Sequence, residues 1–323
     1  MVKIAIYGYG NLAKGIETAL KAFPDMELCA VFTRRKGGGF KPLSGAPVYA
    51  AEELSGFSDS SFDVVIPCVS SPDLFAVCPR VLEKFCTVDA FDMHARLSEY
   101  VEVVDRAAKR CEKTAFVAGG WDPGALSLAR VYAESFLPDG KSYTFWGKGV
   151  SQGHTAAIKR VKGVADGKQY TIPNRSAIER IRAGETPDLT VYDMHERECL
   201  IVVEQGADRE RIEREIKSMP VYFQGYTTRV RFITAEELKE KHQGFPHGGK
   251  VVRVGKTGEN IHTVEYSLTL SSNPEFTGSV LLACARAVYT LYKQGTFGAK
   301  TALDIPPVYY SGKTRENLIE TLL

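Results

Sequence analysis

The sequence predicts an α/β chain in two parts: a parallel sheet flanked by helices, and an α+β domain built on a mixed sheet. Three observations carry this. Apolar strands alternate with helical stretches over residues 1–120. From about Lys141 the pattern changes to alternating polar and apolar residues. A strongly apolar helical run then opens at Asn273-Pro274. Strands that alternate with helices form parallel sheets through right-handed crossovers. Period-two alternation instead marks strands with one wet face, as in antiparallel sheets. The expected division is 1–120 with 274–323 in one domain, and 121–273 in the other.

The first strand is Lys3-Ile4-Ala5-Ile6-Tyr7. It runs into Gly8-Tyr9-Gly10-Asn11-Leu12-Ala13 and then a helix from Lys14 to Ala22. A G-x-G-x-x-A turn between strand and helix is the phosphate-binding unit of a Rossmann-type dinucleotide domain. Gly8 permits the tight turn, Gly10 lets the backbone approach a pyrophosphate, and Ala13 lets helix and strand pack closely. The pyrophosphate sits on the helix N-terminus, where free N–H groups favour an anion. Gly8, Gly10, Asn11 and Leu12 are therefore expected cofactor contacts.

The second strand, Met26 to Phe32, ends at Thr33-Arg34-Arg35-Lys36. An NAD site usually places an acid there to bind the ribose 2′-OH. A hydroxyl with guanidiniums suits a 2′-phosphate, because Arg offers paired planar donors. Thr33, Arg34 and Arg35 thus predict NADP; the alternative is a solvated basic loop, helped by the mobile Gly37-Gly38-Gly39.

Phe62 to Val69 reads as a buried strand, and Ser70-Ser71-Pro72-Asp73 caps the helix that follows, to about Lys84. Cys86 to Asp89 is a short strand, Leu97 to Arg110 a helix and Thr114 to Ala118 a strand. Ligands of such sheets collect at the strands' carboxyl ends. Three strand ends are candidates to reach cofactor or substrate: Ser70-Ser71-Pro72, Asp89-Ala90-Phe91-Asp92-Met93-His94 and Gly119-Gly120-Trp121-Asp122-Pro123-Gly124. The expected cofactor contacts among and beside them are Ser70, Ser71, Pro72, Asp73, Asp92, Met93, His94, Asp122, Pro123, Gly124, Ala125 and Leu126.

In the second part, Thr190 to Tyr192, Cys199 to Val203, Arg229 to Ile233, Lys250 to Val254 and His262 to Leu270 read as strands of one mixed, largely antiparallel sheet. Asp208 to Met219 and Ala235 to Lys241 read as helices. In the helix after Asn273-Pro274, Phe276, Val280, Cys284 and Val288 recur at four-residue spacing beside Leu281 and Leu291, which gives it an apolar face.

Composition narrows the function classes. The net charge is +2 with no basic stripe, which gives no reason to expect nucleic acid or a membrane surface. No apolar run approaches the ~20 residues of a membrane span. The N-terminus is already a strand, leaving no room for a signal peptide. Seven cysteines without a C-x-x-C pair read as small reduced hydrophobes rather than a disulfide frame or a metal site. A cytoplasmic protein without metal is the expectation.

Later motifs make the resemblance specific. Gly120-Trp121-Asp122-Pro123-Gly124, Phe145-Trp146-Gly147, Ser151-Gln152-Gly153-His154 and Tyr170-Thr171-Ile172-Pro173 appear in order. His195-Glu196-Arg197-Glu198-Cys199, Pro246-His247-Gly248-Gly249, His262-Thr263-Val264-Glu265-Tyr266 and Asn273-Pro274-Glu275-Phe276 follow. With the glycine turn and Thr33-Arg34-Arg35, the chain resembles the meso-diaminopimelate dehydrogenase family over essentially its whole length. The resemblance implies an NADP-dependent oxidoreductase of lysine biosynthesis that acts on a CH–NH2 group. It deaminates meso-2,6-diaminopimelate reversibly at its D-centre, giving L-2-amino-6-oxopimelate, which cyclises to tetrahydrodipicolinate, and ammonia. It also implies a homodimer, with a substrate and dimerisation domain beside the dinucleotide domain.

The substrate carries two carboxylates and two ammonium groups, so its site needs donors and acceptors. Arg197 can clamp a carboxylate, and Thr171, His247 and Asn273 add neutral donors. Asp92 and Asp122 can bind an ammonium and take its proton, with His154 as a shuttle. Trp146 offers a flat wall to the methylene chain, and Gln152 and Gly153 offer backbone N–H groups. Two other readings are open: a related NADP-dependent D-amino acid dehydrogenase of broader range, and a redox sensor that binds NADP(H) without turnover.

Overall fold

A computed structural model of the chain describes residues 1–35 and 40–323. Lys36 and Gly37-Gly38-Gly39, the end of the basic loop after the second strand, lie outside the described residues. The chain forms two compact units, Met1–Leu128 with Pro274–Leu323, and Ala129–Asn273.

The first part of the chain runs β1 (Val2–Tyr7), α1 (Asn11–Leu20), β2 (Met26–Thr33), β3 (Val48–Ala50), β4 (Val64–Pro67) and α2 (Ser71–Val81). It continues with β5 (Cys86–Val88), α3 (Leu97–Arg110), β6 (Thr114–Phe116) and α4 (Ala125–Phe136). Next come β7 (Gly140–Trp146), β8 (Gly149–Val150), α5 (Gln152–Ile158), β9 (Val164–Pro173), α6 (Arg175–Arg182), α7 (Val191–Met194) and β10 (His195–Val203). Then follow α8 (Arg209–Ser218), β11 (Thr228–Phe232), α9 (Ala235–Lys241), β12 (His247–Thr257) and β13 (Asn260–Leu270). The chain returns to the first unit through α10 (Asn273–Lys293), β14 (Gly298–Lys300) and α11 (Arg315–Leu322).

The first unit is a parallel sheet in the order β14-β6-β5-β4-β1-β2-β3. This is the doubly wound order, and it reverses between β1 and β4, where a ligand crevice opens. Alternation along β1 covers both faces. Ile4 and Ile6 pack with Ile16 of α1 and Leu281, Ala285 and Val288 of α10, while Ala5 and Tyr7 pack with Val77 and Val81 of α2. β3 and β14 extend the sheet beyond the predicted strands. They are too short to carry a readable pattern.

The glycine turn places the start of α1 at Asn11 rather than Lys14. On α10 the buried face is Thr277, Leu281, Cys284, Ala285 and Val288, and Phe276 and Val280 are only half-buried. The reason is a close helix crossing. A Cβ on Gly15 would lie 2.1 Å from the Pro274 carbonyl oxygen, and one on Gly278 would lie 2.7 Å from the backbone of Gly15. The division between units falls inside α4 rather than at the expected 120/121. The loop ahead of α4 belongs with the parallel sheet: Gly119 donates to the Asp89 carbonyl at 2.7 Å.

The second unit holds two sheets, not the single sheet expected. One is β11-β10-β9-β8, with β10 and β11 parallel and the other pairs antiparallel; the second is β13-β12-β7, antiparallel throughout. Thr190 to Tyr192 is not a strand. Thr190 caps α7, and the Asp193 carboxylate accepts the Thr190 N–H at 2.8 Å, a reciprocal box that starts a helix.

The α1–α10 crossing generates a prediction. Gly15→Ala or Gly278→Ala forces backbone apart and should cost about 1–3 kcal/mol or more. Gly56→Ala, where a Cβ would meet nothing within 4 Å, should stay within about 0.5 kcal/mol. Urea unfolding of the three variants checks this, and equal stabilities would contradict it.

Candidate active site

The glycine turn is built for close approach. Gly8 has φ +98°, and a Cβ on it would lie 2.6 Å from the Cys68 carbonyl oxygen. Gly10 is the N-cap of α1, and a Cβ there would meet nothing within 4 Å. Asn11 is exposed, Leu12 half-buried, and the first turn of α1 carries no acid. Open space at a helix N-terminus suits a pyrophosphate. Tyr9 turns inward instead and donates to Glu17 at 2.6 Å. Burial, then Glu17, pushes its phenol pKa up to about 12.

At the end of β2, Thr33 is buried and its hydroxyl accepts the Arg35 N–H at 3.2 Å. Arg34 pairs with Asp73 at 3.1 Å, both side chains being well exposed. Such a pair contributes little and leaves the guanidinium open to a phosphate. Arg35 lies 6.0 Å from the Phe40 ring centre, and Phe40 stacks on Tyr9.

The predicted cap of α2 differs in detail. Ser70 is the N-cap, but its side chain makes no cap hydrogen bond, and Pro72 stands in the first turn. The Ser71 hydroxyl donates to Asp92 Oδ1 at 2.6 Å and accepts the Asp92 N–H at 3.2 Å. That exchange fixes the loop of Asp92, Met93 and His94 against α2. Asp92 and His94 are exposed and Met93 is half-buried. Asp122 is half-buried on a closed loop, followed by buried Pro123 across a cis peptide bond. A Cβ on Gly124 would lie 1.8 Å from the Gly120 oxygen, and the Leu126 N–H donates to the Trp121 carbonyl at 2.8 Å. Ala125, the first residue of α4, is half-buried.

In the second unit, β9 and β10 pair with Thr171 opposite Arg197 and Gln169 opposite Cys199. These four side chains share one face. Arg197 is only 8% exposed. It donates to the Thr171 hydroxyl, and its guanidinium carbon lies 4.1 Å from the Tyr226 ring centre. Among the described residues its Nε has no hydrogen-bond partner and no carboxylate acts on it, while Tyr226 does. Burial pushes its pKa below the ordinary value. Gln169 is fully buried, with neither amide atom partnered. Arg253 is the contrast. Also buried, it donates to the carbonyls of Leu137 and Pro138 and to the Ser142 hydroxyl, at 2.6, 2.9 and 2.8 Å.

Trp146 is half-buried at the end of β7. Its backbone N–H donates to His195 Nε2 at 2.8 Å, and the two rings stack with centres 5.2 Å apart. His195 Nδ1 in turn faces the Val191 carbonyl at 3.1 Å. An accepting Nε2 and a donating Nδ1 describe a neutral imidazole. His247 packs on Gly149, where a Cβ would lie 2.4 Å from its ring, and its Nδ1 accepts the Gly248 N–H at 2.8 Å. The Asn273 N–H donates to the Phe245 carbonyl at 2.8 Å. Gln152 and Gly153 are exposed at the start of α5. His154 Nδ1 lies 2.7 Å from the Ser151 hydroxyl, and its ring meets the edges of Tyr222 and Phe223.

Gln169, His195 and Tyr226 are not among the site residues the sequence predicts, because no local pattern marks them. Asp89 stands at a predicted strand end, but its sequence position alone gives it no role. Burial lowers the pKa of His154 and of His195 to about 4, and the Arg197 charge adds to both shifts. A lowered histidine contributes stability that is present above its unfolded pKa and is lost as pH falls towards the folded one. For His195 the window is 6.5 down to about 4, worth up to about 3 kcal/mol. Unfolding free energy should therefore fall across that window, and less steeply in His195→Gln. Parallel curves for the two proteins would contradict this.

Comparison with known proteins gives these features a family. The diaminopimelic acid dehydrogenase C-terminal domain model matches residues 120–272. A meso-diaminopimelate D-dehydrogenase from Acetivibrio thermocellus is 55% identical over 327 residues, covering 100% of this chain and 98% of that protein. A crystal structure of a substituted meso-dapdh from Clostridium tetani E88 with DAP has a TM-score of 0.93 at 46% identity, covering 100% of both chains. An engineered D-amino acid dehydrogenase bound to NADP⁺ has a TM-score of 0.86 at 37% identity, covering 100% of this chain and 99% of that one. With its doubly wound dinucleotide fold and a relative this similar along its whole length, the chain belongs to the meso-diaminopimelate dehydrogenase family.

Proposed function

We propose that the chain catalyses the reversible NADP-dependent oxidative deamination of meso-2,6-diaminopimelate at its D-centre. The products are L-2-amino-6-oxopimelate, the open form of tetrahydrodipicolinate, and ammonia. The observation that carries this reading is the Arg197 guanidinium, buried against Thr171 and Tyr226 with no carboxylate beside it among the described residues. A buried cation needs an anion or a full set of acceptors, and a substrate carboxylate would supply what Arg197 lacks. The unpartnered Gln169 amide on the same face calls for a polar ligand too.

The glycine turn, the acid-free start of α1 and Thr33-Arg34-Arg35 fit a dinucleotide with a 2′-phosphate. The cofactor, when bound, supplies a hydride acceptor. The chain's own groups prepare the donor. In this reading Arg197 holds a carboxylate, Thr171 and His247 add neutral donors, and Trp146 lines the methylene chain. Asp92 and Asp122 receive the reacting ammonium and take a proton from it, because only a neutral amine has the lone pair that drives hydride loss. The carbon–hydrogen bond breaks with its electron pair and a carbon–nitrogen double bond forms. Water then adds to that imine, and ammonia leaves. His154, with its pKa near 4, is a weak base, which leaves the base role to the aspartates.

The Clostridium tetani chain carries substitutions at a glutamine, a threonine, an arginine, a proline, a histidine and an asparagine. The same types follow in the same order here: Gln152, Thr171, Arg197, Pro246, His247 and Asn273. The spacing matches from the first to the fifth. That order supports these positions as substrate contacts and adds Pro246 to them. A homodimer in the cytoplasm completes the proposal on the strength of the family.

The test is reduction of NADP⁺ by meso-2,6-diaminopimelate, run beside the L,L isomer, D-lysine and NAD⁺. Turnover with the meso isomer alone, and with NADP⁺ far above NAD⁺, is expected. Equal turnover of D-lysine would favour the broader D-amino acid dehydrogenase, and tight NADPH binding without turnover would favour a sensor. Arg197→Met should lower kcat/KM for meso-diaminopimelate by about 3 kcal/mol, roughly a hundredfold, with NADPH affinity unchanged. Wild-type kcat/KM in that variant would remove Arg197 from the substrate site.

A further inference from the structure

We propose that Asp89 is a positioning residue that locks the loop carrying Asp92 to the loop carrying Asp122, and so sets where those two carboxylates stand. The proposal rests on the reading of Asp92 and Asp122 as the groups that receive the reacting amine.

Asp89 follows the last residue of β5 and has no exposed surface. Its Oδ1 accepts the Phe91 N–H at 3.0 Å and the Ala118 N–H at 3.2 Å. Its Oδ2 accepts the Tyr100 hydroxyl at 2.8 Å and the Cys78 thiol at 3.7 Å. Its backbone reaches the same two places. The Asp89 N–H donates to the Phe116 carbonyl at 3.0 Å, and its carbonyl accepts the Gly119 N–H at 2.7 Å. Phe91 is the residue before Asp92. Ala118 and Gly119 lead into the closed loop of Asp122. One carboxylate thus holds the root of each loop by a backbone N–H.

The clamp also stabilises an unfavourable conformation. Ala118 has φ +58°, a left-handed geometry that residues with a Cβ avoid. Its N–H is held in that geometry by Asp89 Oδ1. Tyr100 closes the pocket from α3, stacked on Phe91 with ring centres 4.1 Å apart.

The ionisable groups acting on Asp89 are Cys78 of α2 and Tyr100 of α3, and Asp89 acts in turn on Cys284 of α10. No cation is among them. Burial, the largest effect, pushes the Asp89 pKa up to about 6, against the four donors that lower it. A buried carboxylate without a cation is costly unless its oxygens are hydrogen-bonded, and four donors meet this one. Its place is explained by the donors it organises. Only the ionised form accepts all four. Protonation at Oδ2 displaces a donor there and leaves Oδ1 a neutral, weaker acceptor for the Phe91 and Ala118 N–H groups, so the clamp loosens.

The experiment compares Asp89→Asn and Tyr100→Phe with Asp92→Asn and Asp122→Asn as references. It reads NADPH affinity, kcat and KM for meso-diaminopimelate across pH, and amide exchange. Asp89→Asn should raise exchange at Phe91 and Ala118 together. Its kcat should fall roughly tenfold to a hundredfold, the size of effect expected when reacting groups are misplaced, with NADPH affinity unchanged. Tyr100→Phe keeps both backbone clamps but removes a donor to the ionised form. Its kcat should match wild type at high pH, and the acid limb of its kcat profile should move upward. A merely structural contact would leave that limb in place, and this result decides the matter if Asp89→Asn does not fold. A folded Asp89→Asn with wild-type kcat and exchange overturns the proposal alone, provided the two reference variants are impaired. Wild-type turnover in both references overturns the reading of Asp92 and Asp122, and the proposal with it.

Discussion

A guanidinium taken out of water must meet an anion or a full set of oxygen acceptors, and the second unit is arranged around one that has neither. Arg253 shows what a settled arginine looks like: two carbonyls and a hydroxyl take up its donors, and it ties α4's exit to β12. Arg197 is buried almost as deeply, yet among the described residues it meets only the Thr171 hydroxyl and Tyr226, and no carboxylate. The strand pairing that sets Thr171 opposite Arg197 fixes the guanidinium in place before any ligand arrives. The arginine is thus preorganised for a carboxylate, and part of the cost of desolvating it is met in folding rather than in binding.

The first unit meets a different constraint, the delivery of several loops to one end of a parallel sheet. Its strand order brings the turn after β1 beside the turn after β4. Gly8 fits only because a side chain there would strike the Cys68 carbonyl. The loops after β5 and β6 are held by hydrogen bonds and by close backbone contact: Ser71 holds Asp92, the Leu126 N–H closes on the Trp121 carbonyl, and Gly124 lies against Gly120. α10 then returns across α1 at Gly15 and Gly278. The dinucleotide domain is therefore completed by the last fifty residues of the chain, and its packing depends on two positions where backbone replaces side chain.

What could be read from the sequence was local. The turn from Gly8 to Ala13, Thr33-Arg34-Arg35 and the helix Leu97–Arg110 declare themselves within a few residues. The capping box from Thr190 to Asp193 is equally local, but it overlaps a short polar–apolar alternation that predicts a strand where α7 forms. What was not legible depends on distance along the chain. Nothing near Gly15 says that Gly278 will lie against it. Nothing in β7 says that it will pair with β12, and that pairing is what splits the expected single sheet into two. Among site residues, Arg197 and Thr171 were found by residue type and resemblance. Gln169, Tyr226 and His195 matter through their neighbours, which only the fold supplies.

The most direct test is a crystal structure of the chain with meso-2,6-diaminopimelate and the oxidised cofactor, trapped at low temperature. The account predicts one substrate carboxylate on Arg197, within hydrogen-bond distance of its Nε, and the D-centre nitrogen against Asp92 or Asp122. A substrate seated elsewhere, with Arg197 still paired only to Thr171 and Tyr226, would contradict it.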